Sequence, residues 1–203
     1  VVYVSGGVPL DIPLLEAARE RNIPLTNDSA LFLAEAPCRV LGITGSSGKS
    51  TTTTLVGDIA KLAAQPAEWQ AWMGGNIGNP LLNDVANMQP NDLAIVELSS
   101  FQLELMTHSP QIAGLLNITP NHLDRHKTMA AYIAAKANIV QFQTADDIAV
   151  LGWDDPTARG LAWQTAAQVW GFGFEAPDSV MNGAWREGDT LTLRIDDQTS
   201  PIV

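Results

Sequence analysis

The sequence predicts an α/β protein built on a mostly parallel sheet with helices on both faces. Three observations carry that expectation. Short apolar, β-branched runs alternate with helical patterns along most of the chain. Val40-Leu41-Gly42-Ile43-Thr44 runs into Gly45-Ser46-Ser47-Gly48-Lys49-Ser50 and then into a helical stretch, the order strand, glycine-rich loop, Lys-Ser, helix. A second apolar strand, Leu93-Ala94-Ile95-Val96, ends in the carboxylate Glu97, as strands facing a ligand crevice do.

Val1 to Val4 reads as a strand and Gly6-Gly7 as its turn. Ile12 to Arg21 is expected to be a helix, with Leu14, Leu15 and Ala18 on one apolar face. A short extended stretch at Ile23 to Thr26 precedes a helix from Asp28, taken as its N-cap, to Glu35. Ala36-Pro37 breaks the pattern, and a domain boundary is expected there, dividing 1–37 from 38–203. Helices follow at Lys49 to Ala63, Pro80 to Val85, Thr128 to Phe142 and Pro156 to Trp163, the last with Asp155 as N-cap and Pro156 at its first position. Further strands are expected at Leu93 to Leu98, Ile112 to Ile118, Ile148 to Leu151 and Gln168 to Trp170. A hairpin spans Ala184 to Leu193, turning at Glu187-Gly188-Asp189.

Composition narrows the function. At 203 residues and 46% hydrophobic content the chain can bury a real core. No apolar run is long enough to cross a bilayer, and no signal-like segment opens the sequence, so a soluble, cytoplasmic protein without membrane insertion is expected. Cys38 is the only cysteine, which excludes a disulfide framework and a cysteine-based zinc site. A net charge of −11 argues against a nucleic-acid surface. An acidic chain that binds a nucleotide must do so through a local loop and divalent cations.

The phosphate loop is the sharpest local signal. Gly45 and Gly48 allow backbone conformations that turn N–H groups inward as an anion nest, and the helix from Lys49 aims its positive end at the same place. Lys49 would reach the β/γ-phosphates, and Ser50 would offer its hydroxyl to Mg²⁺. Thr51 to Thr54 are poor helix formers, so hydroxyl chemistry outweighs propensity at this helix start. The run departs from the strict G-x-x-x-x-G-K-[ST] pattern, because Ile43 stands where the first glycine belongs.

Three further residues are candidates, each with a plain alternative. Glu97 is placed to hold a metal ion, or else pairs with a nearby cation. His122 follows the strand ending near Ile118 in a loop crowded with Asp124, Arg125 and His126; it is a ligand or substrate contact, or is merely solvated, whereas His126 is left structural. Lys136 falls on the helix face of Met129, Tyr132, Ile133 and Val140. Burial would leave it a neutral amine able to add CO₂ as a carbamate, and otherwise it snorkels to solvent.

In order and approximate spacing, Thr44 to Ser50, Gly74-Gly75-Asn76-Ile77-Gly78, Glu97-Leu98-Ser99-Ser100-Phe101-Gln102-Leu103-Glu104, Asn121 to His126 and Ala134-Ala135-Lys136 resemble the ATP-dependent Mur ligases. Phe101-Gln102 resembles the D-glutamate-adding branch rather than other Mur-type or folylpolyglutamate-type ligases. The resemblance implies a Mur ligase central domain over 38–203, preceded by part of a Rossmann-like, UDP-binding domain over 1–37, with the rest of that domain and a C-terminal domain lying outside the chain. The missing initial methionine fits a fragment, expected to be inactive alone.

The implied substrates are ATP, UDP-N-acetylmuramoyl-L-alanine and D-glutamate, joined through an acyl phosphate in peptidoglycan precursor synthesis. Thr44, Gly45, Ser46, Ser47, Gly48, Lys49, Ser50 and Thr51 would bind ATP. Ser50 and Glu97 would hold one Mg²⁺, and His122 with carbamylated Lys136 a second. Lys49, His122 and Lys136 would be catalytic, and Gly7, Asn76, Ser99, Gln102 and His122 would contact the muramoyl-alanine substrate. A phosphate-loop nucleotide-binding module without ligase activity is the alternative from a different class.

Overall fold

The computed structural model describes residues 1–177 and 181–202. Strands β1 (Val2–Tyr3) and β2 (Leu25–Thr26) form a two-stranded parallel sheet joined through helix α1 (Pro13–Glu20). Pro13 opens α1 because its missing N–H has no partner in a first turn anyway. Leu15 and Ala18 are buried, but Leu14 is 69% exposed, against the three-residue face expected. Leu14 and Leu15 point about 100° apart, and a two-stranded sheet is too small to cover both.

Helix α2 (Asp28–Glu35) is capped by Asn27, one residue before the expected Asp28. The Asn27 side-chain oxygen accepts from Ala30 N at 2.8 Å, while its amide donates to Gln102 O at 2.8 Å. Ala30 and Phe32 of α2 join the main hydrophobic cluster, together with the buried strand residues Val40, Ala94 and Val96.

The large sheet comprises β3 (Arg39–Thr44), β4 (Ala71–Gly75), β5 (Leu93–Glu97), β6 (Ile112–Leu115), β7 (Ile148–Gly152), β8 (Gln168–Gly173), β9 (Gly183–Glu187), β10 (Thr190–Ile195) and β11 (Gln198–Pro201). Its order is β11-β10-β9-β8-β7-β6-β3-β5-β4. Neighbours from β4 to β9 pair in parallel, and β9, β10 and β11 pair antiparallel, so the mostly parallel expectation holds with a hairpin extension at one end. Side chains alternate between two cores, as a sheet covered on both faces requires. Ile43 and Ile95 pack with Ala60 and Val56 of helix α3 (Lys49–Ala64). Val40, Ala94, Val96, Ala113 and Leu115 pack with Tyr132, Ile139 and Val140 of a helix over Met129–Gln141.

Several elements differ from expectation for local reasons. Strand β4 was hidden by its glycines, which the fold requires: a Cβ on Gly74 would stand 2.3 Å from Asn79 O, and Gly75 has φ +102°. The Pro80 to Val85 helix is a 3₁₀ segment over Leu81–Asn87. Strand β6 ends at Leu115, three residues early, although Leu116 N still donates to Thr44 O and Asn117 O accepts from Ser46 N beyond it. Single-turn helices α4 (Ser100–Leu103) and α5 (Leu123–His126) precede α6 (Met129–Gln141), whose N-cap Thr128 accepts from Ala131 N at 3.1 Å. Helix α7 (Pro156–Gly160) starts as expected, with Asp155 accepting from Thr157 N and Ala158 N, then tightens into a 3₁₀ turn over Leu161–Gln164. The β9–β10 hairpin turns at Gly188, φ +62°.

Candidate functional site

The C-terminal ends of β3, β5 and β6 lie side by side, since β3 pairs with both of the others. That sheet edge gathers three groups. The first is the loop after β3. Gly48 has φ +83° and stands before α3, a left-handed conformation that few non-glycine residues adopt. The N–H groups of Gly48, Lys49, Ser50 and Thr51 have no hydrogen-bond partner among the described residues, and the helix start adds its positive end to them. The N–H groups of Ser46 and Ser47 differ, since both donate to Asn117 Oδ1, at 3.1 and 3.0 Å. Lys49 Nζ lies back across the loop, donating to Gly45 O at 3.0 Å. Ser50 and Thr51 are exposed, but the Thr44 hydroxyl lies beneath the loop, fully buried and donating to Leu98 O at 2.6 Å.

The second group is Glu97, at the end of β5 and 1% exposed. Its Oε1 accepts from Asn76 Nδ2 at 2.7 Å, while its Oε2 is buried with no partner. An unpartnered buried carboxylate oxygen is costly unless a cation satisfies it. The described residues contain no cluster of three or more His, Cys, Asp or Glu suited to a metal. A cation here would therefore be held by one carboxylate, a hydroxyl and ligand oxygens, the donor set that suits Mg²⁺.

The third group is Lys136 of α6, 1% exposed, so it does not snorkel. Its Nζ donates to Thr44 Oγ1 at 3.1 Å and to Gly45 O at 2.9 Å, and sits 5.1 Å from the centre of the Tyr132 ring. Burial, with the Lys49 ammonium adding to it, pushes the Lys136 ammonium down from its usual 10.5 to about 7. An amine held so near neutral pH is a competent nucleophile towards CO₂.

Beside these groups opens a cleft of about 670 Å³ between the β1 turn and the large sheet. Gly7, Asn76, Ser99 and Gln102 all line it, so four residues spread over 95 positions of sequence share one wall system. Gln102 is also structural: its Oε1 accepts from Ser99 N at 2.9 Å and Ser99 Oγ at 2.8 Å, and its Nε2 donates to Ser29 Oγ at 2.7 Å. With Ser99 accepting from Gln102 N, this is a capping box for α4.

His122 is exposed, adopts φ +51° ahead of α5, and lies 5.1 Å from the ring of Phe101, a cleft residue. It is brought to the cleft's rim rather than into its wall. His126 is buried, its Nε2 2.9 Å from Ser100 Oγ and its ring stacked on Phe101 at 5.3 Å. Burial lowers its pKa. Sequence reasoning did not single out Asn117, which bonds the loop, or Arg125. The Arg125 guanidinium donates to Gly7 O and Val8 O and lies over Phe101, tying the β1 turn to the sheet. A loop asparagine and an arginine on a single-turn helix carry no periodic signal that could have found them.

A protein family described as the Mur ligase middle domain matches residues 43–197. The chain is 37% identical over 203 residues to a protein of Symbiobacterium thermophilum named UDP-N-acetylmuramoylalanine–D-glutamate ligase, covering 100% of this chain and 44% of that one. It is 37% identical over 194 residues to the protein of the same name from Acetivibrio thermocellus, covering 96% and 40%. The chain thus spans about two fifths of the length of these curated relatives. Among solved structures it resembles a MurF ligase from Thermotoga maritima in complex with ADP, with TM-score 0.57 and 22% identity over 86% of this chain and 42% of that one. It also resembles the UDP-N-acetylmuramate:L-alanyl-gamma-D-glutamyl-meso-diaminopimelate ligase of Neisseria meningitides, with TM-score 0.57 and 15% identity over 97% and 65%. At these identities the structural likeness speaks for the fold alone.

Proposed function

Because the chain belongs to the Mur ligase family through its middle domain, we propose that it is the nucleotide-binding part of a cytoplasmic ligase that joins D-glutamate to UDP-N-acetylmuramoyl-L-alanine at the expense of ATP. The observation that carries this reading is the convergence of the phosphate loop, the unpartnered Glu97 Oε2 and the buried Lys136 at one sheet edge, next to the cleft of Gly7, Asn76, Ser99 and Gln102. The names of the relatives at 37% identity support the choice of D-glutamate. In this reading residues 1–37 belong to a UDP-binding domain and 38–203 to the ATP-binding domain. The groups that hold the amino acid lie outside these residues.

The chain's own residues divide the work. The free N–H groups of Gly48 to Thr51 cradle the phosphates, and Lys49 swings from Gly45 O to the transferring phosphoryl group. Ser50 and Glu97 would hold one Mg²⁺, with Asn76 fixing the Glu97 carboxylate through Oε1. His122 and Lys136, the latter as its carbamate, would hold a second. Bound Mg²⁺ would supply charge neutralisation between the phosphates and the muramoyl-alanyl carboxylate. Asn76, Ser99, Gln102 and His122 orient that carboxylate towards the phosphoryl group, so that an acyl phosphate forms and the amine of D-glutamate displaces phosphate.

The test is D-glutamate-dependent phosphate release from ATP in the presence of UDP-N-acetylmuramoyl-L-alanine, by this chain joined to the flanking segments that its relatives carry. Turnover with D-glutamate alone among amino acids is expected, and equal turnover with diaminopimelate, lysine or a folate acceptor would overturn the assignment. The 203 residues alone should not turn over, because positioning of amine against acyl phosphate, worth as much as ~7–11 kcal/mol, needs both halves of the enclosure.

A further inference from the structure

Asn117, two residues beyond the end of β6, has no part in the chemistry above, yet its carboxamide is wholly committed to the phosphate loop. Its Oδ1 accepts from Ser46 N at 3.1 Å, Ser47 N at 3.0 Å and Ser47 Oγ at 3.3 Å, and its Nδ2 donates to Ser47 O at 3.2 Å. Its backbone oxygen accepts from Ser46 N as well, at 2.9 Å. A carboxamide offers an acceptor and a donor side by side as a peptide edge does, so Asn117 pairs with Ser46-Ser47 like one more rung of the β3–β6 ladder. Beneath it Leu116 fills the space under the loop. A Cβ on Gly45 would stand 3.0 Å from Leu116 Cβ, and one on Gly48 3.3 Å from Leu116 Cδ1.

These contacts sort the loop's N–H groups into two sets. Those of Ser46 and Ser47 are drawn to Asn117, and those of Gly48 to Thr51 are left without a partner among the described residues. We infer that Asn117 is a positioning residue that holds the phosphate loop in its anion-binding form, so that a nucleotide meets ordered donors. This rests on the nucleotide reading of the loop given above. A loop released from Asn117 must be ordered by the ligand at the ligand's expense in affinity. Ser46 Oγ is anchored separately, donating to Thr119 O and lying 2.9 Å from Tyr132 OH, so loss of the carboxamide loosens the loop and leaves the sheet intact.

Two measurements on the 203-residue chain test it: amide hydrogen exchange of the nucleotide-free protein, and titration with Mg²⁺·ATP. In Asn117→Ala, exchange at Ser47, whose N–H has only the carboxamide as acceptor, should quicken tenfold or more, while Ser46, still bonded to the backbone oxygen of residue 117, and amides of β5 and β7 keep their protection, and the Kd for Mg²⁺·ATP should rise at least tenfold. Asn117→Asp keeps the size and the acceptor, so it should restore much of the protection at Ser47. It turns an oxygen towards Ser47 O and adds charge beside the phosphates, so its ATP affinity should stay low and recover as salt is raised. Wild-type exchange at Ser47 in Asn117→Ala, or quickened exchange there with wild-type ATP affinity, would overturn the proposal alone. Protected Ser46 and Ser47 amides in a wild-type chain that binds no Mg²⁺·ATP would overturn it together with the nucleotide reading. Should Asn117→Ala fail to fold, Asn117→Leu, which keeps the size and removes both polar atoms, gives the same refutation if it shows wild-type exchange at Ser47 or wild-type ATP affinity.

Discussion

Replacing Lys136 by methionine should flatten the pH dependence of stability. The buried ammonium is lowered to about 7 in the fold against 10.5 in the unfolded chain, so between those values the unfolded state binds a proton that the native state does not. Stability from this residue is therefore fully present above 10.5 and lost as pH falls towards 7. Below 7 both states carry the proton and the burial penalty is complete. From pH 9.5 down to 7 the loss should reach about 3 kcal/mol, taking 1.36 kcal/mol per pKa unit. The two oxygens that Lys136 Nζ bonds, Thr44 Oγ1 and Gly45 O, are neutral, so no carboxylate among its partners offsets the Lys136 charge.

Methionine matches the length of the lysine stem and leaves no polar group stranded. Thr44 Oγ1 still donates to Leu98 O, and Gly45 O still accepts from Lys49 Nζ at 3.0 Å. Urea unfolding of both proteins in CO₂-free buffer from pH 6.5 to 9.5 gives the difference directly, and other titrating groups cancel between them. Parallel stability curves for variant and wild type across that range would refute the argument from burial.

With ¹³C-bicarbonate at pH 8, wild-type protein should give a carbamate carbon resonance that Lys136→Met lacks, and an identical spectrum from both would refute the carbamate. Lys49→Ala and Glu97→Ala, in the longer polypeptide described above, should each lower ligase turnover about a hundredfold or more, the scale of losing a principal charge-stabilising group. Circular dichroism should show both folded, and retained phosphate release would mean the phosphate or cation site is misplaced. Gln102→Ala removes a capping box and the bond to Ser29, so it should lower stability by about 1–3 kcal/mol in thermal or urea unfolding, apart from any effect on substrate. An unchanged midpoint would restrict Gln102 to substrate contact.

What the sequence determined by itself were the parts written in local pattern. The alternation of strands and helices, the cap Asp155, the β9–β10 hairpin and the strand–loop–Lys-Ser–helix order are short-range signals, and each stands where residue types alone put it. Strand β4 was not legible because its glycines answer close approaches from Asn79 O and Glu97 O, contacts made only in the fold. The N-cap moved from Asp28 to Asn27 because the Asn27 amide also reaches Gln102 O, 75 residues away. Lys136 shows the division most clearly. Periodicity put it on an apolar helix face but could not choose between a snorkelling ammonium and a buried amine. The packing of α6 against β3 made that choice, closing water off from Nζ and leaving it two neutral oxygens. Desolvation depends on everything within a few ångströms of a charge, and those neighbours come from Thr44, Gly45, Lys49 and Tyr132, which only the tertiary structure brings together.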